Sequence, residues 1–163
     1  MSYFIIIRGP AGVGKTTIAK ALAKSLNGYH ISLDEILAKH GLDYIASETC
    51  ISENKMLAAN KIVIPIAKEK LAAGQIVIFD ESFYHKSPIE DLISQLKFPY
   101  FVYTLKADLE ICVARNKQRT NPLDEQAIKD VFKLVSKFDY GIVINTNNQT
   151  IDEIMNEILS FTK

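Results

Sequence analysis

Apolar residues along the chain come in blocks, and the spacing inside each block separates strands from helices. Residues 3–8 form an almost unbroken apolar run that stops at a glycine loop, which predicts a strand buried on both faces. Residues 15–26 place Ile18, Ala19, Leu22, Ala23 and Leu26 at helical spacing, and Asn27-Gly28 supplies the stop. Tyr29 to Ser32 reads as a short second strand, followed by a short helix opened by Asp34-Glu35 and closing at Lys39. Residues 41–52 have no period. Residues 53–73 are helical, with Pro65 predicting a kink or a restart. Gln75 to Phe79 is a third strand closed by Asp80-Glu81. A helix over 88–96, a strand over 99–105, a helix over 108–118 capped by Asp108 and a helix over 124–137 after Pro122 follow. Gly141 to Asn145 is the last strand, and Ile151 to Phe161 the last helix.

Apolar strands alternating with helices predict an α/β fold, a parallel sheet covered on both faces. Ligands of such sheets sit beyond the carboxyl ends of the strands. Gly9, Asp34, Asp80 and Asn145 each lie just past a strand end, so they are expected on one edge of the sheet. The length of 163 residues fits a single domain, expected to span 1–163.

Charge and cysteine content narrow the classes of function. Nineteen basic and nineteen acidic side chains give a formal net charge of zero, so no chain-wide positive field draws in nucleic acid. Cys50 and Cys112 are far apart and form no metal-binding pair; reduced core thiols are expected. No basic leader precedes the first strand, and no apolar run approaches the ~18 residues of a membrane span. A soluble cytoplasmic protein, monomer or homodimer, is the expectation.

The strongest chemical signal is Gly9-Pro10-Ala11-Gly12-Val13-Gly14-Lys15-Thr16, a Gly-x-x-x-x-Gly-Lys-Thr pattern between a strand and a helix. Glycines let the backbone curl around an anion, and the helix that follows adds its positive end. Gly9, Ala11, Gly12, Val13, Gly14, Lys15, Thr16 and Thr17 are the expected nucleotide-binding residues, for ATP with magnesium. Lys15 is placed on the β- and γ-phosphates, the Thr16 hydroxyl on Mg2+, and Thr17 on a further phosphate oxygen. Asp80, an acid at a strand tip, is the second magnesium ligand, in the Walker B position. Glu81 is either a second acid of the site or a solvated neighbour.

Four stretches, IIIRGPAGVGKTTIAKALA, ISLDEI, IVIFDES and LKADLEICVARNKQRTNPLDEQAI, resemble the small P-loop kinases of the nucleoside-monophosphate-kinase type. This is the group that includes shikimate, gluconate, chloramphenicol and polynucleotide 5′-hydroxyl kinases. The closing INTNNQTIDEIMNEIL resembles the last strand, loop and helix of such kinases. The resemblance implies a P-loop NTPase three-layer sandwich with sheet order 2-3-1-4-5 and a helical lid at about 115–124. It implies that Arg115 and Arg119 close over the triphosphate and stabilise the transferring phosphoryl group, with Arg115 alternatively stacking near the adenine. It implies that Asp34 accepts the proton of an attacking hydroxyl; a helix cap is the plainer role, but Ser32 can cap equally well.

The chain has three arginines, Arg8, Arg115 and Arg119, and none lies between residues 9 and 114, where the acceptor site is expected. Anionic acceptors are commonly gripped by the planar fork of arginine. The expected acceptor is therefore a small molecule that is not strongly anionic, although Lys39, Lys55, Lys61 and Lys86 are available to compensate. Tyr84 and His85 follow the Walker B acid within reach of the acceptor, although an exposed loop residue is the plainer reading of His85, and residues 41–60 and 84–90 are expected to shape the acceptor pocket. The function expected is phosphotransfer from ATP to a hydroxyl. The alternatives are a nucleoside monophosphate kinase and a polynucleotide 5′-hydroxyl kinase. A GTPase is excluded because the Asn116-Lys117-Gln118-Arg119 stretch lacks the acid of a guanine reader.

Overall fold

In the computed structural model, which describes residues 1–43 and 50–162, the strand runs become one five-stranded sheet in the order β2-β3-β1-β4-β5. The strands are β1 (Phe4–Arg8), β2 (Tyr29–Ser32), β3 (Val77–Glu81), β4 (Tyr100–Lys106) and β5 (Ile142–Asn145). Every pairing is parallel, so all carboxyl ends share one edge. β1 is central, and its five residues are all buried, as a strand covered on both faces requires.

Alternation along β1 divides the core into two layers. Ile5 and Ile7 pack with α1 (Lys15–Ser25), α5 (Leu109–Lys117), α6 (Glu125–Val135) and α7 (Ile151–Ser160). Phe4 and Ile6 pack with α2 (Leu33–Lys39), α3 (Glu53–Ala72) and α4 (Lys86–Leu96). The result is the three-layer α/β sandwich that the pattern and the resemblance predict.

Two helices depart from expectation. α3 runs unbroken from Glu53 to Ala72 through Pro65, with no restart. Pro65 and Lys61 are both exposed, so the Lys61 carbonyl that loses its amide partner turns toward water. α4 starts two residues before the expected position, at Lys86, because Pro88 falls in its first turn, where no amide is needed. Residues 44–49 of the patternless segment 41–52 lie outside the described residues, as does the part they were expected to play in the acceptor pocket.

Arg8, the third arginine, is wholly buried at the end of β1. Its guanidinium donates to the carbonyls of Phe83, Val135 and Phe138, at 3.2, 3.1 and 2.9 Å, and to the Thr104 hydroxyl at 3.2 Å. It also lies 4.3 Å above the Phe138 ring. Burial pulls its pKa down to about 10, against the opposing charge of Asp139, so it stays a cation at neutral pH. Phe83 carries a positive φ of 46°, costly for an aromatic residue, and its carbonyl takes two donors of the Arg8 fork. One buried cation thus joins the loop after β3 to the end of α6.

Candidate active site

The carboxyl edge of the sheet opens into a cleft of about 910 Å³, in the size range of small-molecule sites. One half is formed by the glycine loop. Gly12 and Gly14 have φ of 84° and 104°, which L side chains rarely adopt. A Cβ on Gly12 would come within 2.3 Å of the Cys112 carbonyl oxygen, so the loop packs directly on α5. Gly14 caps α1 without a side-chain acceptor, and no acid occupies the first turn. The first-turn amides and the helix dipole therefore suit a phosphate. Lys15 is buried, with its ammonium donating to the Pro10 carbonyl at 3.1 Å, inside the curl of the loop.

Beside the loop, the Thr16 hydroxyl donates to Asp80 Oδ1 at 2.9 Å, joining the two expected magnesium ligands. Asp80 is wholly buried, and its Oδ2 meets His30 Nε2. A hydroxyl and a carboxylate are hard oxygen donors suited to Mg2+, which keeps several waters and takes phosphate oxygens. His30 orients that carboxylate from behind. His30 was not among the residues singled out in the sequence; a polar residue inside a four-residue strand was the available signal.

The other half is built from scattered segments. Asp34, Asp43, Ile51, Glu81, Tyr84 and Val131 line it. Ser32 caps α2, its hydroxyl accepting from the Glu35 amide at 3.4 Å, so the exposed Asp34 is not needed as the cap. Glu81 is buried, and its Oε1 accepts from the Ser82 amide at 2.6 Å. Its carboxyl group meets that of Asp34. Burial first, then the Asp34 charge and the hydrogen bond between them, hold the Glu81 pKa well above the usual carboxylate range, against the Ser82 amide and Lys15. The carboxyl of Glu81 is thus held toward its neutral form. The alternative of a solvated Glu81 is set aside.

Tyr84 reaches across to the chain after Asp43, its phenol oxygen accepting from the Ile51 amide at 2.6 Å. Burial raises the phenol pKa, so it stays neutral. His85 Nε2 lies 3.4 Å from the Ile51 carbonyl. Tyr84 lines this half of the cleft, and His85, Lys39, Lys55, Lys61 and Lys86 are not among the described lining residues.

The two arginines expected at the lid separate. Arg115 lies in α5, which continues to Lys117, and donates to the carbonyls of Val13 and Thr146, at 3.1 and 3.0 Å, and to the Thr146 hydroxyl at 3.0 Å. Its contacts tie the glycine loop to the segment after β5. Arg119 is exposed and lines the cleft. Between α5 and α6 the loop is clasped by the buried Asn116, whose amide bonds both the carbonyl and the N–H of Leu123, at 2.8 and 3.0 Å. The sequence carried no signal for that clasp.

Comparison with known proteins agrees with this geometry. The AAA domain family AAA_33 matches residues 4–137. A putative adenylate kinase of Pyrococcus furiosus is 26% identical over 96% of this chain and 82% of its own length. A shikimate kinase of Thermodesulfovibrio yellowstonii is 26% identical over 95% of this chain and 92% of its own. A shorter match, 30% identical to tRNA dimethylallyltransferase 9 of Arabidopsis thaliana, takes in 58% of this chain but only 19% of that protein. Among solved structures, a sugar kinase from Janibacter sp. HTCC2649 superposes with a TM-score of 0.80 at 14% identity, covering 99% of this chain and 95% of that one. Among the described residues no helix is long and apolar enough to cross a membrane. With its glycine loop, strand-tip acid and sheet order, the chain belongs to this AAA domain family, as a P-loop kinase domain of the nucleoside-monophosphate-kinase-like superfamily.

Proposed function

We propose that this protein transfers the γ-phosphate of ATP to a hydroxyl group of a small-molecule acceptor. The observation that carries the reading is the position of Asp34. It lines the same cleft as Lys15 and Thr16, the capping role beside it is taken by Ser32, and the described lining of that half holds no lysine or arginine.

Each residue then has a task. The amides of residues 12–16 and the Lys15 ammonium hold the phosphates, and Thr17, exposed at the loop, adds a hydroxyl. Thr16 and Asp80 would hold magnesium, which when bound offsets charge on the phosphate oxygens. Arg115 braces the glycine loop, and Arg119 supplies a mobile positive charge from residues 115–124, the lid region. Asp34 accepts a hydrogen bond from the acceptor hydroxyl and takes its proton as the new bond forms; an ordinary carboxylate is competent because that transfer comes late in a loose transition state.

A nucleoside monophosphate acceptor is the second reading, supported by the adenylate kinase relative. The acidic acceptor half, with no lysine or arginine among its described lining residues, weighs against it. The test is ATP consumption by the purified protein across hydroxyl compounds and nucleoside monophosphates. Turnover with a hydroxyl compound that Asp34→Asn depresses, at unchanged ATP affinity, is the expected result. An equal loss of ATP affinity makes Asp34 part of the magnesium site instead.

A further inference from the structure

The cleft has an apolar wall, for which phosphates have no use. Leu123, Ala127 and Val131 line it at four-residue spacing, Leu123 just before the Asp124 cap and the other two on α6. That spacing puts them on one face of the helix. α6 packs on the sheet layer through a neighbouring face, where Ile128 is buried. Leu123 is 46% exposed, although Asn116 holds both its carbonyl and its N–H. Neighbouring apolar side chains left open to a cleft are the mark of a ligand groove.

A third, smaller apolar cluster continues this wall: Met56, Tyr84 and Val135 are buried, with Ile51 and Val131 partly buried against them. Ile51, Tyr84 and Val131 all line the cleft. Arg8 fixes the arrangement, donating from one nitrogen to the Phe83 carbonyl at 3.2 Å and to the Val135 carbonyl at 3.1 Å, which sets the end of α6 beside the residue before Tyr84. Strand order puts the wall on the acceptor side. Asp34 follows β2 and Tyr84 follows β3, to one side of the glycine loop after β1. Gln149 and Ile151 follow β5, on the other side, and line the cleft from there. Of the acids at the acceptor end, Glu81 is buried and Asp43 stands at the exposed rim, which leaves Asp34 to meet a hydroxyl. A mostly apolar surface with one placed polar group is how small-molecule sites orient a ligand.

We infer that the acceptor is an alcohol with an apolar body, its hydroxyl at Asp34 and its hydrocarbon part against Ile51, Tyr84 and Val131, with Ala127 and Leu123 extending the wall toward the lid region. This rests on the kinase reading above. The nucleoside of ATP is left the other side, by Gln149 and Ile151. Hydrocarbon laid on this wall takes apolar surface of both partners out of water. A polyol of the same size brings hydroxyls against side chains that offer them no hydrogen bond, and stripping their water is costly. In the transfer, the acceptor O–H bond breaks and its proton passes to Asp34. The oxygen bonds the γ-phosphorus, and the β–γ bridging bond breaks with its electrons leaving on ADP. The apolar body takes no part beyond binding.

The test follows ADP release by the full chain with matched acceptors: butan-1-ol against glycerol, and cyclohexylmethanol against glucose, with nucleoside monophosphates alongside. The expected result is a kcat/KM for the apolar alcohols about 10-fold or more above the polyols, the order of discrimination that a few buried methylenes give. Val131→Thr, which puts a hydroxyl in the wall at nearly constant shape, narrows the apolar-over-polyol ratio several-fold, mainly through KM, with ATP affinity unchanged. Leu123→Ser, at an exposed position, narrows it in the same sense and serves if Val131→Thr does not fold. Preference for the polyols overturns the inference and leaves the kinase reading standing. So does a loss in both variants that falls equally on apolar alcohols and polyols, as a merely structural wall would give. Turnover of nucleoside monophosphates alone, or of no acceptor while ATP still binds, overturns both.

Discussion

The two halves of the cleft are made in different ways. The phosphate half is one contiguous stretch, residues 9–17, and its chemistry is mostly backbone: amides turned inward by positive-φ glycines, plus one lysine. The acceptor half is mostly side chain, drawn from α2, the segment around Ile51, the end of β3 and α6. A backbone anion site depends on local conformation and tolerates any nucleoside triphosphate of the right shape. A side-chain site assembled from four elements depends on the whole fold, and each contributor can vary alone. One half is suited to stay constant while the other changes with the acceptor.

This contrast makes unequal predictions. Lys15→Ala removes the one ammonium inside the loop, and turnover is expected to fall about 10³-fold or more, with nucleotide affinity falling too and the fold intact by circular dichroism. Asp34→Asn is expected to lower kcat by about 10²-fold or more, a typical general-base contribution, while ATP binding measured by calorimetry is unchanged. If both variants lose ATP affinity alike, the two halves are not separable. Arg119→Ala is expected to cost about 10²-fold in kcat. Arg115→Ala, by contrast, is expected to weaken nucleotide binding as well, since it loosens the Val13 carbonyl and the Thr146 segment together. Tyr84→Phe removes only the acceptor for the Ile51 amide, a loss of about 1 kcal/mol or somewhat more, read as a Tm decrease of a few degrees with ATP affinity untouched.

The same contrast explains what was legible in the sequence. Strand runs, the glycine loop and the sheet order depend on local spacing and on a resemblance carried by contiguous motifs; the structure has the loop and the order as expected, while β3 runs two residues further on than its apolar run and takes in Asp80 and Glu81. Pro65 was read as a kink or a restart, and the helix continues through it without a restart. Asp34 stood out because it follows a strand, and Ser32 as the rival cap was visible two residues earlier. The burial of Glu81 against Asp34 was not visible, because it depends on β3 lying beside β2 with Ser32 level with Asp80. Arg8 could be counted but not placed: its partners are 75 to 130 residues away, and a guanidinium bonded to carbonyls leaves no charge pattern to read. Asn116 likewise looks like any polar residue near a helix end until its clasp on Leu123 is seen.

The central claim is transfer from ATP to an acceptor hydroxyl at Asp34. The most direct measurement is phosphorus NMR of the product formed from ATP and a panel of hydroxyl compounds and nucleoside monophosphates, by the wild-type chain and Asp34→Asn. The account predicts a phosphomonoester resonance that appears with a hydroxyl compound and is nearly lost in Asp34→Asn. A phosphoanhydride formed on a nucleoside monophosphate, or a monoester formed as fast by Asp34→Asn as by the wild type, contradicts it.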